Sequence, residues 1–345
     1  MNGRSDVVKN FENTAVALNL SMREIDRPFS VRSHTILHPS YGNAIKKISS
    51  IHIRGCDHKH GGGLMLTGHS GVGKSMVLAH YKEKFPKFEE SDGGVIPVLL
   101  VVTPAAPTVK NLAESILEAM DDPFSSRGTS EDKTRRIYLF LKKCRVELIM
   151  IDEFQHFAET GRKSEARTVT DWLKNLLSVT KIPVVLAGMP NGELVIRSNP
   201  QLARRFSSRH YLMPFSVLND DAQSEFRGVL KGIHSKIPID CIALHDANIA
   251  RKIFIATNGV MDYICKLIDQ AFYLAQQTAK QEITLEILRQ AFLDEIWIDC
   301  PEPLNPFSVT PALRPLMQSG EPFESHAASG SIFGSLYSKK TNVSI

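Results

Sequence analysis

The sequence predicts an α/β fold: a parallel sheet with flanking helices, followed by a small all-helical domain. Three observations carry this prediction. Gly68-His69-Ser70-Gly71-Val72-Gly73-Lys74-Ser75 lies between the apolar run Leu64-Met65-Leu66-Thr67 and a helical start at Met76-Val77-Leu78. Two glycines five apart, then Lys and Ser, between a strand and a helix, form the P-loop pattern. The stretch Val146 to Ile151, apolar apart from Glu147, ends in Asp152-Glu153, as expected of a buried strand that delivers two carboxylates to its carboxyl end. From Pro214 onward the apolar residues recur only at helical spacing.

The chemistry of the first stretch is specific. Backbone N–H groups must curl around a triphosphate, so Gly68, Gly71 and Gly73 supply permissive dihedrals and close approach. His69, Ser70 and Val72 fill the loop between them, and Met76 continues the helix whose N-terminus faces the phosphates. Lys74 reaches the β/γ-phosphates and the Ser75 hydroxyl ligates Mg²⁺, so ATP and Mg²⁺ are the expected ligands. A Gly-rich surface loop is the alternative, and it has no use for the flanking strand and helix. In the second stretch, Asp152 holds the Mg²⁺ through water and Glu153 orients and polarises the attacking water.

Length and composition set bounds. A chain of 345 residues with net charge +4 has room for a large core and permits nucleic-acid binding without a polybasic tail. No apolar run approaches a membrane span and the N-terminus lacks a signal-like apolar segment, so a cytoplasmic location is expected. The five cysteines lack paired spacing and read as reduced thiols. Cys56-Asp57-His58-Lys59-His60 has metal-capable side chains. With no second ligand pair in view, it reads as a polar loop between Arg54 and Gly63.

In chain order, residues 1 to about 35 form an extension with weak helical periodicity (Val8, Phe11, Ala15, Leu18) and a breaker at Asp26-Arg27-Pro28. His38-Pro39-Ser40 opens a helix over Tyr41 to Ile53. After the P-loop helix, Val95 to Thr103 is a nearly continuous apolar strand, and Thr108 caps a helix reaching Met120. A basic helix, Glu131 to Cys144, precedes the Asp152-Glu153 strand. Val169, Trp172, Leu173, Leu176 and Leu177 form one helical stripe. Val184 to Gly188 is a further strand, and His210 to Met213 the last. Residues 214–298 hold four amphipathic helices, one closed by Asn258-Gly259. From Cys300, repeated prolines and then Ser/Gly-rich sequence predict a tail, 299–345, without its own core. The α/β core is accordingly assigned to 36–213.

These motifs together resemble an AAA+ ATPase, and within that group the TniB/TnsC family of bacterial transposition ATPases. The carrying residues are His38-Pro39-Ser40-Tyr41, the P-loop, Thr103-Pro104, Ile151-Asp152-Glu153-Phe154-Gln155-His156-Phe157, Val184 to Gly188, and Pro200-Gln201-Leu202-Ala203-Arg204-Arg205-Phe206. The resemblance spans about residues 36 to 298. It implies an ATP-dependent, sequence-nonspecific regulator that oligomerises as a ring or helical filament on double-stranded DNA. Such a protein links a TniQ-type target selector to the transposase, with hydrolysis driving disassembly.

Arg204 or Arg205 would then act as an arginine finger on a neighbouring subunit's nucleotide, or else as a cationic C-terminal cap. Asn191 stands where this group senses the γ-phosphate. Asp262 replaces the arginine that many relatives carry at the start of a lid helix, which implies slow, switch-like hydrolysis. DNA contacts are expected from Lys110, Arg162, Lys163, Arg167 and Lys174, each also readable as a solvated helix face. A helicase-loader or replication-initiation AAA+ protein is the alternative of the same fold. A small-molecule P-loop kinase is disfavoured by the arginine pair and the all-helical second domain.

Overall fold

Short apolar runs with no polar alternation are suited to strands covered on both faces, and the computed structural model assembles five of them into one parallel sheet. It describes residues 29–58, 62–91, 93–159, 163–279 and 281–324. These fall into two units: residues 37–214, and residues up to 36 together with those from 215.

The first unit runs α1 (Pro39–His58), β1 (Gly63–Thr67), α2 (Lys74–Glu83), β2 (Phe88–Glu90), β3 (Gly93–Val95), β4 (Val98–Val102), α3 (Val109–Ala119), α4 (Ser130–Lys143) and β5 (Leu148–Asp152). It continues through α5 (His156–Glu159), α6 (Lys163–Thr180), β6 (Val184–Gly188), α7 (Gly192–Arg197), α8 (Pro200–Arg205) and β7 (Ser208–Tyr211). The strand order is β4-β5-β6-β1-β7. Register is set by side-chain alternation. Leu64 and Leu66 face Tyr41, Ile48, Val77 and Leu78 of α1 and α2. Met65 points into the opposite core, with Leu112 and Ile116 of α3, Ile137 of α4 and Leu173 and Leu176 of α6. All five strands run the same way, so their carboxyl ends, Thr67, Asp152 and Gly188 among them, gather along one edge. Ligands bind at that edge in open α/β sheets. Of the strands in this sheet, β4 is the one between β1 and β5 in sequence, yet it lies at the sheet margin. The strand between them in space is β6.

Several predicted elements differ. The run Val95 to Thr103 is not one strand. Pro97 offers no N–H, and the chain breaks there into β3, which pairs antiparallel with β2, and β4. The Pro97 carbonyl instead accepts the N–H groups of Glu147 and Leu148, at 2.8 and 3.1 Å. The predicted loop from Arg54 is helical through His58. Gly55 sits within the helix where a Cβ would meet the Pro183 ring at 2.5 Å, so the glycine there serves close packing and not a break. On the basic helix, now α4, Lys133 is fully buried and pairs with Glu114 at 2.9 Å.

The second unit holds α9 (Asp220–His234), β8 (Asp240–Cys241), α10 (Ala247–Thr257), α11 (Met261–Gln276), β9 (Glu282–Ile283) and α12 (Leu285–Glu295), with β8 and β9 forming a two-residue parallel ladder. Phe226, Leu230, Ile253, Leu267, Ile268 and Phe292 build its core. α10 stops at Asn258 and Gly259, both left-handed (φ 48° and 67°). A Cβ on Gly259 would meet the Phe215 carbonyl at 2.3 Å.

Both predicted margins are corrected. The segment after Cys300 has a core to share: Phe307, Leu316 and Phe323 are buried among the helices, and buried Asn305 donates to the Arg289 carbonyl at 3.2 Å. Prolines forbid helix continuation, not burial of the aromatics between them. At the other end, Ser30 Oγ and the Val31 N–H both donate to the Asp269 carboxylate, at 2.8 and 2.7 Å, with Phe29 against Phe272. Residues 29–36 therefore belong to the helical unit. The earlier periodicity at Val8 to Leu18 lies outside the described residues, as does the sequence beyond Glu324.

Candidate nucleotide site

β1 ends at Thr67, whose carbonyl accepts the Leu212 N–H at 2.7 Å, and the Gly68 N–H donates to Gly188 O at 3.2 Å. The P-loop is thus pinned between β6 and the end of β7. Glycine is required at 68, where a Cβ would meet the Leu212 carbonyl at 2.4 Å. Gly71 and Gly73 take left-handed backbone (φ 76° and 99°). Gly73 is the N-cap of α2 and supplies no side-chain cap, and the first turn carries no acid. The first N–H groups of α2 are left for an anion.

Lys74 is only 6% exposed, and its ammonium donates to the carbonyls of Gly68 and His69 at 2.9 and 2.8 Å. Burial lowers its pKa, against the opposing pull of Glu153 and Asp152. Burial, then the Lys74 charge, push the His69 imidazole below its ordinary value, so it is neutral beside the Tyr211 ring. Ser75 Oγ donates to Asp152 Oδ2 at 2.6 Å, and the other Asp152 oxygen accepts the Glu153 N–H at 2.8 Å. A hydroxyl and a buried carboxylate are hard oxygen donors of the kind Mg²⁺ takes. The pair fits that ion.

Glu153 leaves the strand in left-handed backbone, φ 55°, a conformation that costs a non-glycine residue roughly 1–2 kcal/mol. Gln155 holds it there. The Gln155 amide nitrogen donates to Glu153 Oε2, while its oxygen accepts the Met189 N–H at 3.0 Å. A Cβ on Gly188 would strike that oxygen at 2.4 Å. The Phe154 N–H on Ala187 O and the Thr103 N–H on Asp152 O, both 2.9 Å, fix the turn from either side. His156 Nδ1 adds a contact to Thr103 O at 3.2 Å. Sequence reading assigned no role to Gln155 or His156, although they are the polar positions of the Phe154-Gln155-His156-Phe157 run. Glu193 was missed as well. It accepts from Thr67 Oγ1 at 3.3 Å and Arg209 at 2.9 Å.

Lys74, Ser75, Asp152 and Glu153 are therefore brought together with the loop that carries His69, Ser70, Val72 and Met76. Asn191 lies just beyond β6, at the N-cap of α7. It makes no capping bond, and its Oδ1 is buried with no partner. Arg204 and Arg205 end α8, where Asn199 caps and Pro200 starts the helix. Among the described residues neither arginine makes an ion pair or side-chain hydrogen bond, and neither is joined to the P-loop.

Of the expected DNA contacts, Lys110 is exposed in the first turn of α3 and Arg167 is exposed on α6. Lys174 is half-buried and paired with Asp171 at 3.2 Å. Lys163 begins α6, but its side chain and all of Arg162 lie outside the described residues. A groove of about 950 Å³ bounded by Arg167, Asp171, Lys174, Leu194 and Gln201 runs beside α8. Asp262 is engaged by Arg32 and by Lys266 at 3.2 Å. Among the described residues no helix is long and apolar enough to cross a membrane.

Residues 30–215 match the family described as bacterial TniB protein. No curated protein matches the sequence. Among solved structures, the Aeropyrum pernix ORC2 protein in ADPNP-ADP complexes is similar at TM-score 0.59 and 13% identity, over 77% of this chain and 70% of that one. The Aeropyrum pernix ORC1 protein in complex with DNA gives 0.54 and 13%, over 75% and 66%. Drosophila ORC bound to DNA gives 0.51 and 14%, over 76% and 64%. At such identities the likeness is one of fold, an α/β core followed by a helical unit.

Proposed function

The chain belongs to the TniB family, and from that premise we propose that it is an ATP-hydrolysing regulator of DNA transposition that assembles on double-stranded DNA. In this reading it binds DNA without sequence preference and connects a TniQ-type target selector to the transposase. Hydrolysis disassembles the oligomer. One observation carries the reading: Lys74, Ser75, Asp152 and Glu153 converge at one sheet edge, while Arg204 and Arg205 have no side-chain acceptor among the described residues. A site with its acids and lysine in place, and two arginines that end α8 unengaged among the described residues, suits completion by a second copy.

The residues divide the work. The P-loop N–H groups and the α2 N-terminus hold the phosphates, and Lys74 leaves the Gly68 and His69 carbonyls to neutralise the β/γ oxygens. Ser75 and Asp152 would hold Mg²⁺, which would supply further neutralisation of phosphate charge when bound. Glu153 accepts a hydrogen bond from the attacking water and aligns it, with its carboxylate steadied by Gln155. The unpartnered Asn191 Oδ1 beyond β6 suits a polar contact to that water or to the γ-phosphate. An arginine of a neighbouring copy then stabilises the charge that develops on transfer. Exposed Lys110 and Arg167 are the favoured DNA contacts. Lys174 ranks lower because Asp171 already neutralises it.

Electron microscopy of the full chain with duplex DNA and a slowly hydrolysed ATP analogue tests this. DNA-threaded rings or filaments that vanish with ADP are expected, and a monomer indifferent to DNA would sink the proposal.

A further inference from the structure

Away from the nucleotide site, three side chains of different ligand chemistry meet at metal-binding spacing. His52 and Cys56 stand one turn apart on the same face of α1, and Glu147 immediately precedes β5. One ligand atom from each lies within 4.8 Å of the other two. His52 is buried, whereas Cys56 and Glu147 are open to solvent. His52 Nε2 is 3.2 Å from Glu147 Oε2, and its Nδ1 is 3.0 Å from the Tyr81 hydroxyl.

We propose that His52, Cys56 and Glu147 bind one divalent cation of the Zn²⁺ class, with water as the fourth ligand, and that the ion staples the end of α1 to the lead-in of β5.

The geometry needs little change. Around a tetrahedral Zn²⁺, nitrogen and oxygen ligands lie about 3.3 Å apart and nitrogen and sulfur about 3.6 Å. The His52–Glu147 separation already matches, and the exposed Cys56 closes the rest by side-chain rotation. The imidazole is pre-positioned by burial and by the rings of Phe85 and Tyr81, with centroids at 5.0 and 6.0 Å. The Tyr81 hydroxyl on Nδ1 is the outer partner that orients a ligating histidine. Glu147 is itself anchored, its N–H donating to Pro97 O at 2.8 Å. Binding releases the Cys56 thiol proton to water, while His52 stays a neutral imidazole: its one proton sits on Nδ1, donated to the Tyr81 oxygen, and the Nε2 lone pair, with the Cys56 thiolate, goes to the metal.

A sulfur ligand sets the ion class. Mg²⁺ and Ca²⁺ take oxygen, and a mixed S, N, O set suits Zn²⁺ or Co²⁺. The site is distinct from the Ser75–Asp152 pair, since Glu147 and Asp152 are five extended residues apart, about 16 Å. It sits at the opposite edge of the sheet, which makes it a structural tie and not part of hydrolysis.

A His52–Glu147 hydrogen bond alone accounts for two of the three side chains, so Cys56 carries the test. The probe is Co²⁺, titrated into the nucleotide-free full chain. One Co²⁺ per chain is expected, with the visible bands of a tetrahedral ion and a near-ultraviolet sulfur-to-cobalt band. Zn²⁺ should displace it and raise the melting temperature. Cys56→Ala and Cys56→Ser should lose the sulfur band and the Zn²⁺-dependent rise while melting like the parent without metal. Tyr81→Phe should keep the band and weaken Zn²⁺ binding about tenfold. No sulfur band in the parent chain, or the same band in Cys56→Ala, would overturn the proposal.

Discussion

In the proposed mechanism Glu153 is the residue on which hydrolysis turns; its backbone is left-handed, and its carboxylate accepts from the Gln155 amide. Replacing it with Gln keeps the shape and removes the base. Turnover should fall about a hundredfold or more, while nucleotide stays bound and the assembly on DNA persists longer. Faster disassembly would contradict the role. Gln155→Ala separates positioning from binding. ATP turnover should drop at nearly unchanged nucleotide affinity, and a matching loss of affinity would make Gln155 a general structural residue instead. Lys110 is a surface test. Lys110→Ala should weaken binding equally on all DNA sequences and lower the salt slope by about one phosphate contact. An unchanged slope removes it from the interface.

At the scale of elements, the segment after α12 behaves as part of the helical unit. Phe323 is fully buried, so Phe323→Ala should cost about 3–5 kcal/mol in unfolding of that unit. A negligible change in denaturant midpoint would restore the view of a tail without core contacts. Arg314 donates to Glu321 through both guanidinium ends, one at 2.9 Å. That bond, opposed by burial, holds the Glu321 carboxyl below its ordinary range. A depressed carboxylate stabilises the fold above its unfolded pKa, and the benefit disappears as pH falls through the folded value. Acid melts should therefore show a slope below the usual carboxylate range that is reduced in Glu321→Gln. β4 shows the limits of local patterning. Its apolar run was readable and Pro97, with no N–H, ends β3 before β4 begins; local patterning does not say that the Pro97 carbonyl takes the Glu147 and Leu148 N–H groups.

For the whole molecule, the net charge of +4 makes DNA affinity depend on where the basic groups sit, not on their number. Arg204 and Arg205 lack side-chain acceptors among the described residues, and in the proposed reading the site is complete only in an oligomer. Mixing Arg204→Ala/Arg205→Ala chains with Lys74→Ala chains should restore ATP turnover that each lacks alone, because each supplies what the other has lost. No recovery on mixing would place the arginines outside the shared site.

The sequence by itself determined the site's parts and the fold class. Spacing alone specifies a P-loop, and an apolar run ending in two acids specifies a buried strand that delivers carboxylates, because both are local demands of backbone geometry and burial. The cap at Thr108 and the stop at Asn258-Gly259 were legible for the same reason. Tertiary structure decided what depends on residues far apart in the chain. It put β6 between β1 and β5, set Gln155 against Glu153 and Gly188, and placed Phe307 and Phe323 in a core supplied by helices before them. It also turned Cys56 from part of a polar loop into a neighbour of Glu147. Such pairings depend on long-range packing, which no local periodicity encodes.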